Sequence, residues 1–250
     1  MNIDLSDKIA LVTGGSRGIG SACCRSLAEA GATVLINYNR SSEKAEALKN
    51  EICGQGRTAD IFQADISHLE EVEALFQIIR KKYEKLDILV NNAGIIKDNL
   101  LLAMSISDWD KVLNVNLRGA FMCSKYASEL MITRHFGKII NISSVGAIQV
   151  VRGQGNYAAA KGGLLSFTRT CAVELAGKGI QVNAVLPGFI ETKMTQRTRK
   201  RAGQQILDRI PQERFGQPTD VADLVVFLAS NKSDYITGQA ITVDGGLSLS

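Results

Sequence analysis

Residues 8–20 read Lys8-Ile9-Ala10-Leu11-Val12-Thr13-Gly14-Gly15-Ser16-Arg17-Gly18-Ile19-Gly20, a short apolar run that passes directly into a glycine-rich turn. Residues 9–12 have the length of a buried strand, and residues 21–30, after the turn, have helical composition. A strand, a glycine turn and a helix in this order direct backbone N–H groups and a helix N-terminus at a pyrophosphate. The segment therefore predicts a dinucleotide site; a plain tight turn is the alternative, and the motifs further along the chain decide between them. The expected contacts are Gly14, Ser16, Arg17, Gly18, Ile19 and Gly20.

Short apolar runs alternate with helix-length segments along the rest of the chain. Strands are expected at 34–36, 58–64, 88–90, 139–142, 182–186 and 240–243, and helices at 41–53, 69–83, 108–134, 156–178 and 219–229. Such an alternation implies right-handed crossovers and a doubly wound sheet. We therefore expect an α/β fold: a single Rossmann-type doubly wound domain over residues 1–250, with a seven-stranded, mainly parallel sheet and helices on both faces.

The composition limits the classes of protein to which the chain can belong. Its 250 residues, 45% of them hydrophobic, can bury the core of one domain. No stretch approaches the roughly 18 consecutive apolar residues of a membrane span, and residues 1–7 lack the features of a secretory signal. We therefore expect no membrane partner.

The cysteines, the histidines and the charge restrict the chemistry further. The five cysteines have no CxxC or framework spacing, which indicates reduced, mostly buried thiols and a cytoplasmic protein. With only two histidines, no metal site is expected. The net charge of +4 is modest, and no nucleic-acid-binding motif accompanies it, so nucleic acid is not an expected partner.

A tyrosine and a lysine lie four residues apart in Tyr157-Ala158-Ala159-Ala160-Lys161, inside a segment of helical composition. Residues at i and i+4 share one face of a helix. A free tyrosine has a pKa of about 10, and a nearby cation lowers that pKa by stabilising the phenolate. Lys161, together with the charge of an oxidised nicotinamide, can therefore make Tyr157 an acid–base catalyst. Such a pair also occurs by chance in helices, so the interpretation depends on the neighbouring signals.

A serine stands at the right distance to join this pair. Ser144 lies thirteen residues before Tyr157, at the end of the apolar run in residues 138–142. Open α/β sheets bind their ligands at the carboxyl ends of their strands. Ser143 is an adjacent alternative, but the spacing to Tyr157 favours Ser144.

Four motifs together resemble the short-chain dehydrogenase/reductase family: the TGxxxGxG turn, Asn91-Asn92-Ala93-Gly94, the serine and YxxxK. The resemblance covers roughly residues 5–247 and includes Asn116 in Asn114-Val115-Asn116-Leu117. Within the family the chain is most similar to the 3-oxoacyl-[acyl-carrier-protein] reductases. Residues 92–101, 155–161 and 187–194 carry this narrower similarity.

The resemblance implies further cofactor contacts. Asp65 is expected at the adenine, Asn92 on the adenosine-ribose side, and Ile190 with Thr192 at the nicotinamide carboxamide. Asp and Asn are also ordinary turn residues at strand ends, which is the alternative for the first two. The full set of these expected contacts is Asp65, Ile66, Asn92, Ala93, Gly94, Tyr157, Lys161, Pro187, Gly188, Ile190 and Thr192.

The expected end of the second strand, Ile36-Asn37-Tyr38-Asn39-Arg40, carries no acid. Enzymes that use NAD place a carboxylate near this point on the ribose 2′-hydroxyl, and that carboxylate would repel a 2′-phosphate. Arg17 and Arg40 can face such a phosphate, with Asn39 beside them, although Arg40 can also be a plain loop charge. NADPH/NADP+ is therefore the expected cofactor.

The family chemistry assigns four catalytic residues: Asn116, Ser144, Tyr157 and Lys161. Tyr157 would protonate the developing alkoxide as general acid, and Ser144 would donate a hydrogen bond to the same oxygen. Lys161 would lower the pKa of the tyrosine and hold the nicotinamide ribose. Asn116 would support a water that relays protons to Lys161. Its alternative is a structural role at a helix kink.

A basic segment follows the Pro187-Gly188 turn, where the family carries its substrate lid, about residues 190–215. Residues 191–214 contain seven basic and three acidic residues, a net +4 that equals the charge of the whole chain. Attraction of an anionic substrate carrier and a solvated helix face are both open explanations. The resemblance also suggests a carrier-docking face at Arg134, Lys138, Arg169 and Lys178.

The expected function is NADPH-dependent reduction of a 3-oxoacyl thioester on acyl carrier protein to the 3-hydroxyacyl thioester, in fatty-acid or polyketide-type biosynthesis. One alternative is an oxidoreductase of acetoacetyl-CoA, another acyl-CoA or a small ketone or alcohol. An alternative of another class is a catalytically idle binding or scaffold subunit. The segments 108–134 and 156–178 resemble the subunit-packing helices of the family, which implies a homotetramer.

Overall fold

The computed structural model describes residues 3–149 and 151–249. The four remaining positions, which the single-domain prediction includes, lie outside the described residues. In the described part, seven strands form one sheet. They are β1 (Ile9–Val12), β2 (Thr33–Tyr38), β3 (Ala59–Gln63), β4 (Ile88–Asn91), β5 (Gly137–Ile142), β6 (Ile180–Pro187) and β7 (Ala240–Val243).

The sheet has the strand order β3-β2-β1-β4-β5-β6-β7, and every neighbouring pair is parallel. The order reverses between β1 and β4, so a crevice opens beyond the carboxyl ends of these two strands. The glycine turn follows β1 and the Asn92-Ala93-Gly94 segment follows β4. The predicted doubly wound α/β fold is confirmed.

Helices cover both faces of the sheet. They are α1 (Gly18–Glu29), α2 (Ser42–Gly54), α3 (Leu69–Tyr83), α4 (Ile106–Leu113), α5 (Gly119–Ile132), α6 (Gly155–Ala176), α7 (Gln196–Leu207) and α8 (Pro218–Ala229). Alternate residues of β1 enter two separate cores: Ala10 and Val12 pack with α1 and α8, and Ile9 and Leu11 pack with α3 and α5. This alternation follows from the two-residue period of a strand buried on both faces.

The segment predicted as one helix over residues 108–134 is interrupted. Between α4 and α5 the backbone makes a π-helical turn at Asn114–Arg118, which places Asn116 at the irregularity. Single π-turns occur mostly at functional sites. Helix α8 begins at Pro218, one residue before its predicted start, and Gln217 forms a capping box with Asp220.

Helix α7 was not predicted, because residues 196–207 lack an apolar stripe and none of them is buried. No helix in the described part of the chain is long and apolar enough to cross a membrane.

Candidate active site

The glycine turn after β1 requires glycine for two different physical reasons. Gly14 and Gly18 have φ angles of +60° and +55°, which residues with a Cβ rarely adopt. Gly20 has an ordinary φ, but an added Cβ would lie 2.5 Å from the carbonyl oxygen of Gly14. The turn therefore brings backbone and the start of α1 against the space where a pyrophosphate would lie, which fits a dinucleotide.

Two asparagines hold this turn in place. The Asn92 amide nitrogen donates to the carbonyl oxygens of Thr13, at 2.9 Å, and Gly14, at 3.1 Å. From the other side, Asn37 accepts from the Gly14 N–H at 3.2 Å. The Asn92 amide group therefore has a structural role in addition to the predicted contact with a ligand. Sequence reasoning missed Asn37, although an amide inside the apolar run of β2 is a visible signal.

The side chains after β2 and β3 are joined at the edge of the crevice. Asn39 donates to the Asp65 carboxylate at 2.6 Å, and the Ser67 hydroxyl donates to it at the same distance. Burial opposes ionisation of Asp65, but these hydrogen bonds outweigh it and hold the pKa of the carboxyl below its usual value. Asp65 is therefore an ionised acceptor where an adenine is expected.

Two arginines border the same region. Arg17 and Arg40 are exposed, and neither side chain has an ion-pair or hydrogen-bond partner within residues 3–149 and 151–249. Arg17 is the residue immediately before α1, and Arg40 follows β2. Both guanidinium groups are therefore free to bind a phosphate beside the crevice.

The structure brings the four predicted catalytic residues together. An added Cβ on Gly94 would lie 3.4 Å from Oδ1 of Asn116 and 3.7 Å from Nζ of Lys161. An added Cβ on Gly146 would lie 3.4 Å from Oγ of Ser144 and 3.7 Å from Cε1 of Tyr157. The Lys161 ammonium is 5.8 Å from the centre of the Tyr157 ring. The two groups of contacts meet through α6, which carries both Tyr157 and Lys161.

The structure distinguishes the two neighbouring serines. The Ser143 hydroxyl is buried and donates to the carbonyl oxygen of Lys161 at 3.0 Å. The Ser144 side chain is less buried, and its oxygen accepts from the N–H of Gly146 at 3.1 Å. Because only Ser144 also neighbours Tyr157, the geometry favours Ser144 over Ser143 as the partner of the phenol.

The Lys161 side chain is 4% exposed, and its ammonium donates to the carbonyl oxygen of Ile142 at 2.7 Å. Burial disfavours the charged form and lowers the pKa of Lys161 to about 8.

Asn116 is bound on both sides of its amide group to the backbone of Ile95, at 2.8 and 3.0 Å. Its side chain therefore braces the π-turn against the loop after β4.

The expected lowering of the Tyr157 pKa is not what the chain alone provides. Burial raises the pKa of Tyr157, the Ser144 hydroxyl offsets this only in part, and the charge of Asp98 adds to the rise. Burial lowers the pKa of Lys161 as well, and the charge of Lys161 does not offset the rise at the phenol. The other contribution that the prediction names is the positive charge of an oxidised nicotinamide.

Several of the predicted cofactor contacts after β6 and β3 are packed against, or hydrogen-bonded to, other residues of the chain. Gly188 passes so close to β7 that an added Cβ would lie 2.5 Å from Cβ of Asp244. Ile190 is buried, and its carbonyl oxygen accepts from Thr195, which also accepts from the N–H of Thr192. Ile66 is buried against Gly119, so it can offer only its backbone to a ligand. Pro187 closes β6, and Ala93 packs against Gly14.

A buried polar chain beneath the site was not predicted. The Asn91 amide nitrogen donates to Asn141, at 2.8 Å, and Ser124, at 2.9 Å, and Asn141 donates to Thr168 at 2.9 Å. It links β4, β5, α5 and α6, the elements around the catalytic residues. The signal was present as asparagines in apolar strands, but only the strand order shows that they are neighbours.

The expected carrier-docking face lies only partly at the surface. Lys138 does not belong to a docking face, because it is 1% exposed and pairs with Asp234 at 2.7 Å; Arg134, Arg169 and Lys178 are exposed.

The described cysteines are free, and only Cys53 among them is exposed. Within the described residues, no group of three or more His, Cys, Asp or Glu side chains could hold a metal ion.

Comparisons with known proteins agree on one family. A family model described as enoyl-(acyl carrier protein) reductase matches residues 14–248. The 3-oxoacyl-[acyl-carrier-protein] reductase of Synechocystis sp. is 46% identical over 244 residues, 97% of this chain and 98% of that protein. The corresponding protein of Staphylococcus aureus is 47% identical over 240 residues, 96% and 98% of the two chains. The structure of a putative NAD(P) dependent gluconate 5-dehydrogenase from Beutenbergia cavernae, with bound NADP, has a TM-score of 0.95 at 34% identity and covers 100% of both chains.

Proposed function

Because this chain belongs to the short-chain dehydrogenase/reductase family, we propose that it catalyses the NADPH-dependent reduction of a 3-oxoacyl thioester on acyl carrier protein to the 3-hydroxyacyl thioester. Relatives that are 46% and 47% identical over nearly their whole length carry the name of this activity. The observation that carries the proposal is the meeting of Ser144, Tyr157 and Lys161 beside the crevice. The reaction belongs to fatty-acid or polyketide-type biosynthesis.

The crevice between β1 and β4 holds the cofactor. The glycine turn receives the pyrophosphate, Asp65 the adenine, and Arg17 and Arg40 the 2′-phosphate that distinguishes NADPH from NADH. Thr192 and the backbone of Ile190 face the carboxamide, while Lys161 binds the nicotinamide ribose. When bound, NADPH supplies the hydride that reduces the substrate ketone.

The chain's own residues supply the proton and orient the ketone. Tyr157 donates its hydroxyl proton to the oxygen that becomes the alcohol, and Ser144 donates a hydrogen bond to the same oxygen. The Lys161 ammonium, 5.8 Å from the centre of the Tyr157 ring, would share with the positive charge of the oxidised nicotinamide the stabilisation of the phenolate that Tyr157 leaves behind. A water supported by Asn116 returns a proton through Lys161.

One alternative substrate class has an observation in its favour. The neighbour from Beutenbergia cavernae is titled a gluconate 5-dehydrogenase, so reduction of a small polar ketone is the second candidate. Its identity of 34% is below the 46% and 47% of the acyl-carrier relatives. A catalytically idle scaffold fits poorly, because the chain keeps all four catalytic positions and the glycine turn.

We extend the proposal to the organisation of the protein. Residues 1–250 act as one domain, and residues of about 190–215 cover the substrate. The subunits form a homotetramer through α5 and α6, where Phe121 and Val173 are 48% and 83% exposed. Reduced, buried cysteines suit a cytoplasmic location. Light scattering tests the assembly, since a monomer at micromolar concentration would contradict it.

The test of function is NADPH oxidation with acetoacetyl-carrier-protein, acetoacetyl-CoA and a 5-keto sugar acid, with NADH as the alternative cofactor. We expect the carrier thioester with NADPH to give the highest kcat/KM. A preference for CoA would move the protein to CoA-linked metabolism, and a preference for the sugar acid would replace the proposal with the second candidate.

A further inference from the structure

Helix α7 (Gln196–Leu207) is strongly cationic and is not anchored by burial. Four basic residues lie within five positions, namely Arg197, Arg199, Lys200 and Arg201. None of the helix residues is buried. A surface helix normally packs an apolar stripe onto the core, and α7 lacks such a stripe. Its charges therefore need an explanation outside the packing of the chain.

Only one of these four side chains has a partner within the described part of the chain. The Arg199 guanidinium forms an ion pair with Glu191 and lies 5.7 Å from the centre of the Phe215 ring. Arg197, Lys200 and Arg201 are exposed, and within residues 3–149 and 151–249 none of their side chains has an ion-pair or hydrogen-bond partner. These three side chains are free to bind something else.

The three free residues share one face of the helix. Relative to Arg197, Lys200 and Arg201 stand at i+3 and i+4, which are neighbouring positions on a helix surface. Arg199, at i+2, points to the opposite side. We call Arg197, Lys200 and Arg201 the cationic face of α7.

The cationic face opposes the stability of its own helix. A helix N-terminus carries a positive partial charge, so cations in the first turn are unfavourable. Like charges at i+3 and i+4 repel each other as well. The helix is also broken just beyond the face, because Ala202 has a non-helical φ of −139°. A bound polyanion would remove both repulsions and favour the helix.

We propose that the cationic face of α7 is a docking surface for the acidic carrier protein that presents the thioester, in addition to the expected face whose exposed members are Arg134, Arg169 and Lys178. The proposal rests on the function proposed above. It assigns to the lid the selection of a substrate that is bound to the carrier protein. Three exposed cations spread over about one helical turn, roughly 6 Å of helix, suit several carboxylates of a protein surface better than a single phosphate. Opposite charges also speed the encounter of the two proteins.

The test is the triple variant Arg197→Gln/Lys200→Gln/Arg201→Gln, assayed with one 3-oxoacyl group on three supports: carrier protein, CoA and the uncharged N-acetylcysteamine. We expect kcat/KM for the carrier thioester to fall by about 10- to 100-fold, with little change for the uncharged thioester. The wild-type rate on the carrier should fall as salt is added, and the rate of the triple variant should respond much less.

A matched control is the variant Arg57→Gln/Lys81→Gln/Lys232→Gln, which removes the same charge from exposed positions outside the lid. It should keep the wild-type rate on the carrier thioester. An unchanged carrier rate in the lid variant would overturn the proposal. Equal losses on carrier and CoA would also overturn it, because phosphates and not the carrier surface would then be recognised. A loss on the uncharged thioester would show that the face only supports lid folding.

Direct titration of the carrier protein separates failure of docking from failure of the proposed function. If wild-type protein binds the carrier and the triple variant does not, the docking surface stands even where another reaction is catalysed. Binding that is equal in both would refute the docking surface whatever the reaction.

Discussion

The ammonium nitrogen of Lys161 lies 2.7 Å from the carbonyl oxygen of Ile142, the last residue of β5. One residue further, the Ser143 hydroxyl donates back to the carbonyl oxygen of Lys161 at 3.0 Å. Helix α6 is thus bound to the end of β5 through both the side chain and the backbone of the same lysine. Since Ser144 follows directly, the strand that presents the serine also fixes the lysine, and their separation is set by the fold.

Tyr157→Phe removes the hydroxyl that donates the proton and leaves the ring in place. We expect kcat to fall by about 10²- to 10⁴-fold, the usual contribution of a positioned general acid. NADPH binding, followed by fluorescence titration, should change little. Turnover close to that of the wild-type protein would show that another group protonates the alkoxide.

Ser144→Ala and Ser143→Ala form a matched pair that tests the choice of serine. Loss of the Ser144 hydroxyl should lower kcat by about 10²- to 10³-fold, as for removal of an oxyanion donor. Loss of Ser143 should cost about 1 kcal/mol of stability through its hydrogen bond and lower kcat far less. Steady-state kinetics with thermal melts measure both effects, and the reverse order of activities would transfer the catalytic role to Ser143.

The pKa of Lys161, lowered to about 8 by burial, predicts a pH limit for the free enzyme. The ammonium is present below this pKa and is lost as pH rises through it, while the raised pKa of Tyr157 keeps the phenol protonated over the same range. We therefore expect kcat/KM for ketone reduction to be level below pH 8 and to fall up to tenfold per unit above it. A profile that stays flat through pH 9 would mean that the charge of Lys161 is not needed.

The parts of the fold that the sequence predicted are those with strong local patterns. The bounds of β1, β7 and α3 match their predictions because each is a short apolar run or an amphipathic segment with clear ends. Helix α7 was missed because it has no apolar period. A helix kink at Asn116 was an alternative for that residue, but the π-turn at Asn114–Arg118 was not predicted, and Asn116 is hydrogen-bonded there to the backbone of Ile95, 21 residues away.

In the candidate site, too, the residues with a local sequence pattern were predicted and the long-range contacts were not. Motif spacing located Ser144, Tyr157 and Lys161, but it could not give their pKa values, because desolvation depends on burial by residues far along the chain. The contact of Asn91 with Asn141 spans 50 residues and exists only because β4 and β5 are neighbours in the sheet. Polar contacts between strands become readable once the strand order is known.

Gly20→Ala tests whether the close packing around the glycine turn excludes a Cβ at position 20. The new Cβ would meet the Gly14 oxygen and the Asn92 amide at 2.5 Å, and such overpacking typically costs about 1–3 kcal/mol. NADPH affinity should fall as well, because the turn must shift. Gly54→Ala is the control, since its Cβ meets nothing within 4 Å and alanine should stabilise the end of α2 by up to about 1 kcal/mol. Denaturant melts and NADPH titration distinguish the two, and equal behaviour would contradict the crowding argument.

Arg17→Gln and Arg40→Gln test the preference for NADPH. Each exposed guanidinium would make a charge-assisted hydrogen bond to the 2′-phosphate, worth about 1.5–3 kcal/mol, so each change should lower kcat/KM with NADPH by roughly ten-fold or more. The rate with NADH should stay nearly constant, because its ribose carries no phosphate there. The ratio of the two kcat/KM values at fixed ionic strength is the measurement. Equal losses with both cofactors would place the arginine at a group that NADPH and NADH share, such as the pyrophosphate.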